Sequence, residues 1–113
     1  MTSVREAIER GDLDSFGELL DPAVVWVGVL PGQLCRNREE VLATFRRALE
    51  AGRHAPPQII TEVDDLIVID PRVEPAPELN PSLHQILVLR DDRVVEIRDY
   101  PSRDAALAAV VAQ

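Results

Sequence analysis

Apolar positions recur at helical spacing three times before the chain changes period. Ser3 and Glu6 stand at capping-box distance ahead of a helix that buries Val4, Ala7 and Ile8. Gly11 suits the left-handed residue that ends it. Asp12 can cap a second helix carrying Leu13, Phe16, Leu19 and Leu20, closed by Asp21-Pro22. Val24 to Val29 is β-branched and aromatic and predicts a strand; Pro31-Gly32 predicts a turn. Asn37 and Glu40 repeat the capping spacing, with Asn in place of Ser or Thr, and open a longer helix to about Ala51. Its stripe is Val41, Leu42, Phe45, Ala48 and Leu49; Arg38, Glu39, Arg46, Arg47 and Glu50 lie largely on the wet side, and Gly52 stops it.

Beyond Gly52 the period falls to two. Gln58 to Val63 and Leu66 to Ile69 read as strands around Asp64-Asp65. From Asp70 to Ser82 a loop is predicted, because Pro71, Pro75, Pro77 and Pro81 bar regular pairing. Leu83 to Arg90 and Arg93 to Tyr100 are two further strands around a two-residue turn at Asp91-Asp92, and Asp104 to Ala112 is an alanine-rich helix. Helix, helix, strand, helix, then strands is not the alternation of a parallel sheet. The pattern predicts an α+β fold: three N-terminal helices packed on a curved, mainly antiparallel sheet, with a short C-terminal helix. One domain over residues 1–113 is expected from the length.

Composition narrows the function classes. The net charge is -8, the wrong sign for a surface that displaces counterions from phosphates, so nucleic acid is not an expected partner. All 12 basic residues are arginine, which excludes a lysine Schiff base or a Walker-type lysine. With abundant Ala, Val and Pro, that usage points to a GC-rich bacterial genome. Cys35 is the only cysteine, so no intrachain disulfide can form, and it reads as a small buried residue ahead of a helix. His54, at a helix end, reads as solvated. The start, MTSVREAIERGD, is charged from Arg5 onward without a signal-like apolar run, and no stretch approaches membrane-spanning length. A cytoplasmic protein with no membrane partner is the expectation. No cluster has metal-ligand spacing, and no nucleotide or hydrolase motif is present, so neither metal nor cofactor is expected.

The last hairpin carries the candidate chemistry. A two-residue turn sets Arg90 opposite Arg93, Val88 opposite Val95, Ile86 opposite Ile97 and His84 opposite Asp99. One face then holds His84, Ile86, Val88, Val95, Ile97 and Asp99, apolar with a polar pair at its far end. A carboxylate beside an imidazole fixes its tautomer and raises its pKa, and such a pair at the mouth of an apolar cavity can move a proton. The same pair can equally be a structural tie. With Trp26 as a wall and Gly28 and Phe45 beside it, this face is the predicted ligand pocket. The opposite face, with Leu83, Leu87, Leu89 and Val94 ringed by Gln85, Glu96, Arg98 and Tyr100, is predicted to seat a second copy in a two-fold homodimer.

Glu9-Arg10-Gly11-Asp12-Leu13-Asp14-Ser15-Phe16 followed by Leu19-Leu20-Asp21-Pro22-Ala23-Val24-Val25-Trp26 resembles the opening of the nuclear transport factor 2-like superfamily, nearest its polyketide-cyclase-like (SnoaL-like) branch. Cys35 to Val41 resembles that family's entry into its third helix. Leu89 to Val95, with Asp99-Tyr100 and Arg103 to Leu107, resembles its closing hairpin and tail. The resemblance implies a cystatin-like cone with a pocket inside, and family members commonly dimerise through the outer sheet. Fold does not decide function in so varied a superfamily. Its steroid isomerase-like members carry a general-base carboxylate on the first strand, where this chain has Val27 or Gly28, and a tyrosine on the first helix, where it has none. Two functions follow as expectations: a small-molecule-binding or structural module with an apolar pocket, or a cofactor-free isomerase, cyclase or dehydratase acting through His84 and Asp99 on a small apolar substrate.

Overall fold

Each of the first three helices starts where a side chain caps it. The computed structural model describes residues 3–29, 32–50, 58–71 and 84–111. Ser3 accepts from the Glu6 amide ahead of α1 (Val4–Arg10), and Gly11 closes that helix at φ 65°. Asp12 accepts from the Ser15 amide ahead of α2 (Leu13–Glu18). Asn37 accepts from the Glu40 amide at 2.9 Å while Glu40 takes the Arg36 amide at 2.8 Å, a reciprocal cap for α3 (Arg38–Glu50), the longest described helix. The expectations for Pro31, Gly52, His54, Leu83, Ala112 and the proline-rich loop up to Ser82 fall outside the described residues, as does the Leu49 side chain.

The second helix is shorter than its apolar pattern suggests. Leu20 already opens β1 (Leu20–Val27), because the Val94 amide donates to the Leu19 carbonyl at 2.8 Å and pulls the chain into the sheet. Pro22 has no N–H to give, and the ladder lapses between Leu20 and Val25. The short β2 (Leu34–Cys35) pairs with β1, so Cys35 lies on a strand, opposite Trp26. The remaining elements are β3 (Gln58–Val63), β4 (Leu66–Pro71), β5 (His84–Arg90), β6 (Arg93–Tyr100) and α4 (Arg103–Val111). The six strands run in the order β2-β1-β6-β5-β4-β3; β1 and β6 are parallel and every other pair is antiparallel. No described helix is long and apolar enough to cross a membrane.

Helices cover both faces of this sheet. On the inner face, Val4 and Ala7 of α1, Phe16 of α2 and Val41 of α3 pack on Leu20, Val24, Ile67, Ile69, Leu87, Val94 and Ile97. On the outer face, Ala106, Ala109 and Val110 of α4 pack on Leu66, Val68, Ile86, Val88 and Tyr100. A strand buried on both faces reads as a continuous apolar run, and Ile86-Leu87-Val88-Leu89 is one.

The register of the last hairpin corrects the predicted one. The two-residue turn forms, with Asp91 and Asp92 at φ 53° and 63°, and Arg90 pairs with Arg93 and Leu89 with Val94. The ladder then slips: Val88 faces Glu96, Leu87 faces Ile97, Gln85 faces Asp99 and His84 faces Tyr100. Val95 is the extra residue of a β-bulge. The physical reason lies in Val94 and Ile97, both 0% exposed and three positions apart. Strict alternation cannot bury both on one side; one inserted residue can. His84, Ile86 and Val88 therefore sit on the outer face, not beside Ile97 and Asp99. Leu87 (2% exposed) and Val94 belong to the core and not to an exposed face, so they cannot seat a second copy.

Candidate functional site

The slip separates the proposed His84–Asp99 pair and gives each residue a different partner. His84 Nδ1 lies 2.8 Å from Asp70 Oδ1, with both side chains nearly sealed from solvent at 5% and 10% exposure. This pair joins neighbouring strands β5 and β4 on the outer face. It is the structural tie the sequence left open, made with Asp70 and not with Asp99.

Asp99 remains on the inner face, where the bulge brings it level with two donors from opposite sides. Trp26 Nε1, from β1, donates to Asp99 Oδ1 at 2.9 Å. Gln85 Nε2, from β5, donates to the same Oδ1 at 2.9 Å. Among the described residues no group donates to Oδ2. No fully buried side-chain oxygen among them lacks a partner, so Oδ2 is not sealed in. Burial raises the carboxyl from its ordinary 3.8 to about 6, against the opposing pull of the Trp26 and Gln85 hydrogen bonds.

Aromatic packing holds the first donor. The Trp26 ring stacks on Phe45 of α3, with centroids 4.8 Å apart and planes 22° apart. Phe16 of α2 meets Phe45 edge to face at 5.5 Å and 85°. Such contacts add about 1 kcal/mol each beyond buried area and fix the ring plane. Trp26, Phe45, Ile97 and Asp99 thus lie on one face. Ile86 and Val88 are not part of that group, and Val95 takes no cross-strand partner. Gly28 sits beside β2: its amide donates to the Gln33 carbonyl at 2.7 Å, and a Cβ there would run into the Gln33 side chain.

Sequence reasoning missed Gln85 and Asp70. Gln85 was placed outside by unbroken alternation, and the only signal for it was the i, i+3 burial demand of Val94 and Ile97. Asp70, the first residue of the predicted loop, lies in β4. Cys35 lies 3.5 Å from the Thr44 hydroxyl, half-buried beside the core. Among the described residues no group of three His, Cys, Asp or Glu side chains is placed to hold a metal ion.

A cleft of about 480 Å³ opens at the far end of the β5–β6 hairpin from Asp99. Val4, Leu19, Leu66, Ile67 and Leu89 floor it, and Glu62, Asp64, Asp65, Asp91 and Asp92 rim it. Those carboxylates are exposed and solvated. Asp99, unlike them, is half-buried beside Trp26 and Phe45.

The sequence profile of the SnoaL-like domain family matches residues 2–97. Solved structures share the fold. A SnoaL-like protein of unknown function from Burkholderia thailandensis E264 is 20% identical, over 86% of this chain and 86% of that one, with a TM-score of 0.63. A protein of unknown function with a cystatin-like fold from Xanthomonas campestris is 19% identical over 92% and 91%, with a TM-score of 0.60. A hypothetical protein with a ketosteroid isomerase-like fold from Catenulispora acidiphila DSM 44928, in complex with trimethylamine, is 15% identical over 95% and 88%, with a TM-score of 0.53. No curated protein matches the sequence.

Proposed function

Starting from a chain that belongs to the SnoaL-like domain family, within the nuclear transport factor 2-like superfamily, we propose that it binds a small, largely apolar molecule at the partly exposed end of the inner face where Asp99, Trp26 and Gln85 meet, and that Asp99 moves a proton to or from it. One observation carries this reading: a carboxyl raised to about 6, held by one oxygen and without a donor at the other, beside the half-buried rings of Trp26 and Phe45. A base of that strength is mostly ionised at neutral pH yet still basic enough to accept a proton in a transition state. The imidazole drops out of the mechanism, because His84 is paired with Asp70 and Asp99 is held by Trp26 and Gln85. The reaction class is proton abstraction or transfer, as in isomerisation, cyclisation or dehydration, and the steps ascribed to the protein need only this carboxyl.

The test needs no knowledge of the natural ligand. An enolisable apolar ketone such as 2-tetralone exchanges its activated hydrogens in D2O, and proton NMR follows the loss. The wild-type protein is expected to accelerate exchange at pH 7 at least tenfold over Asp99→Asn. Equal rates for the two would remove the proton-transfer reading and leave a binding domain.

A further inference from the structure

The grip on Asp99 is lopsided, and that asymmetry has a consequence for what the site accepts. We propose that Trp26 and Gln85 are positioning residues that claim one oxygen of Asp99, Oδ1, and so commit Oδ2 to the ligand, which makes the site selective for a group presenting a single proton and not for a forked cation. The inference rests on the reading of Asp99 as the ligand-facing group.

The geometry is specific. β6 lies between β1 and β5, and each neighbour sends one donor to the same atom, at 2.9 Å in both cases. A carboxylate oxygen offers two lone-pair directions, so two such bonds fill Oδ1. A guanidinium or amidinium binds a carboxylate through both oxygens in a fork, and here one of the two is occupied. A hydroxyl, an ammonium or an acidic C–H needs only one, and Oδ2 has no described donor.

Neither donor can easily swing away. Trp26 is held by its stack on Phe45, and Gln85 is the cross-strand partner of Asp99. The bulge at Val95 creates this alignment: in an unbroken ladder Gln85 and Asp99 would point to opposite faces. Among the described residues, the adjoining His84, Arg98 and Tyr100 lie on the outer face and the half-buried Cys35 lies across β1 opposite Trp26; burial and these two hydrogen bonds are the influences that shift the carboxyl.

Gln85→Leu and Trp26→Phe each remove one donor while keeping an apolar body of similar shape. Carbon-13 NMR of the Asp99 carboxyl reads the result. Wild type is expected to titrate near 6, and each variant about one pH unit higher, a tenfold gain in proton affinity. Titration unchanged in both variants overturns the positioning role, even if Asp99→Asn abolishes ketone exchange. Conversely, a shifted titration with no exchange in wild type supports the clamp and removes the chemistry. Ligand choice is read with benzylammonium and benzamidinium by Trp26 fluorescence. Wild type is expected to favour benzylammonium, and Gln85→Leu, with Oδ1 half released, to narrow the preference at least threefold. A wild-type preference for benzamidinium overturns the selectivity.

Discussion

A carboxyl that titrates near 6 works against the fold whenever it is ionised. The folded value of Asp99 is above its ordinary 3.8, so the native state holds the proton more tightly than the unfolded chain. The group is neutral in both states only well below pH 4. Its penalty grows as pH rises from there through 6 and is complete above, on the order of 3 kcal/mol by linkage. Asp99→Asn keeps an oxygen for Trp26 and Gln85 without the charge. It is expected to be more stable than wild type at pH 8, with the gap closing towards pH 4, in urea melts at each pH. The opposite order at pH 8 would contradict the buried-carboxylate assignment. The Asp70–His84 tie should behave differently: Asp70→Leu leaves a sealed imidazole nitrogen without its acceptor and is expected to lose about 2 kcal/mol, part of which returns in the Asp70→Leu/His84→Leu double variant.

Among the elements, the β5–β6 hairpin shows how far local pattern reaches. Its turn was legible: two short acidic residues between apolar runs, and both adopt positive φ. Its first two pairs were legible too. The bulge was not, because it answers a demand made by α1, α2 and α3 on which β6 residues they bury. The turn also offers a clean test. A non-glycine residue in the left-handed region is strained by about 1 kcal/mol, and Asp92 sits there at φ 63°. Asp92→Gly is expected to raise the melting temperature by a few degrees without altering the Asp99 titration. Gly28→Ala is expected to do the reverse, since its Cβ would press on Gln33 beside β2, with a loss of about 1–3 kcal/mol by thermal melt.

Across the whole molecule, the decisive element is α4. It covers Leu66, Val68 and Ile86 from outside, so the outer face is smaller than a four-stranded apolar wall would be. Homodimerisation stays a proposal about this protein, but its contact cannot be the Leu87–Leu89–Val94 patch, which is core. Leu87→Arg therefore tests folding and not assembly: it is expected to yield unfolded or insoluble protein, with a loss above 4 kcal/mol, because it buries an unpaired charge. A soluble, cooperatively melting Leu87→Arg monomer would show the register to be wrong. Light scattering of wild type at micromolar concentration reads the assembly separately, against the 12.5 kDa of one chain.

The amino-acid sequence alone determined the helices with their caps, the main strands, the turns and the sign of the surface, because each of these depends on neighbours within a few residues. It also carried the family, through the order of its loose motifs. What it left open was which face of each strand looks at which helix. The β5 run is apolar on both sides, so period two is silent there, and one extra residue at Val95 decides the matter. Only the packed structure, in which Val94 and Ile97 must both be buried against the same helices, placed Gln85 beside Asp99 and sent His84 to Asp70. The site's residue types were visible in the chain; their partnership is a product of burial across distant elements, which no local pattern encodes.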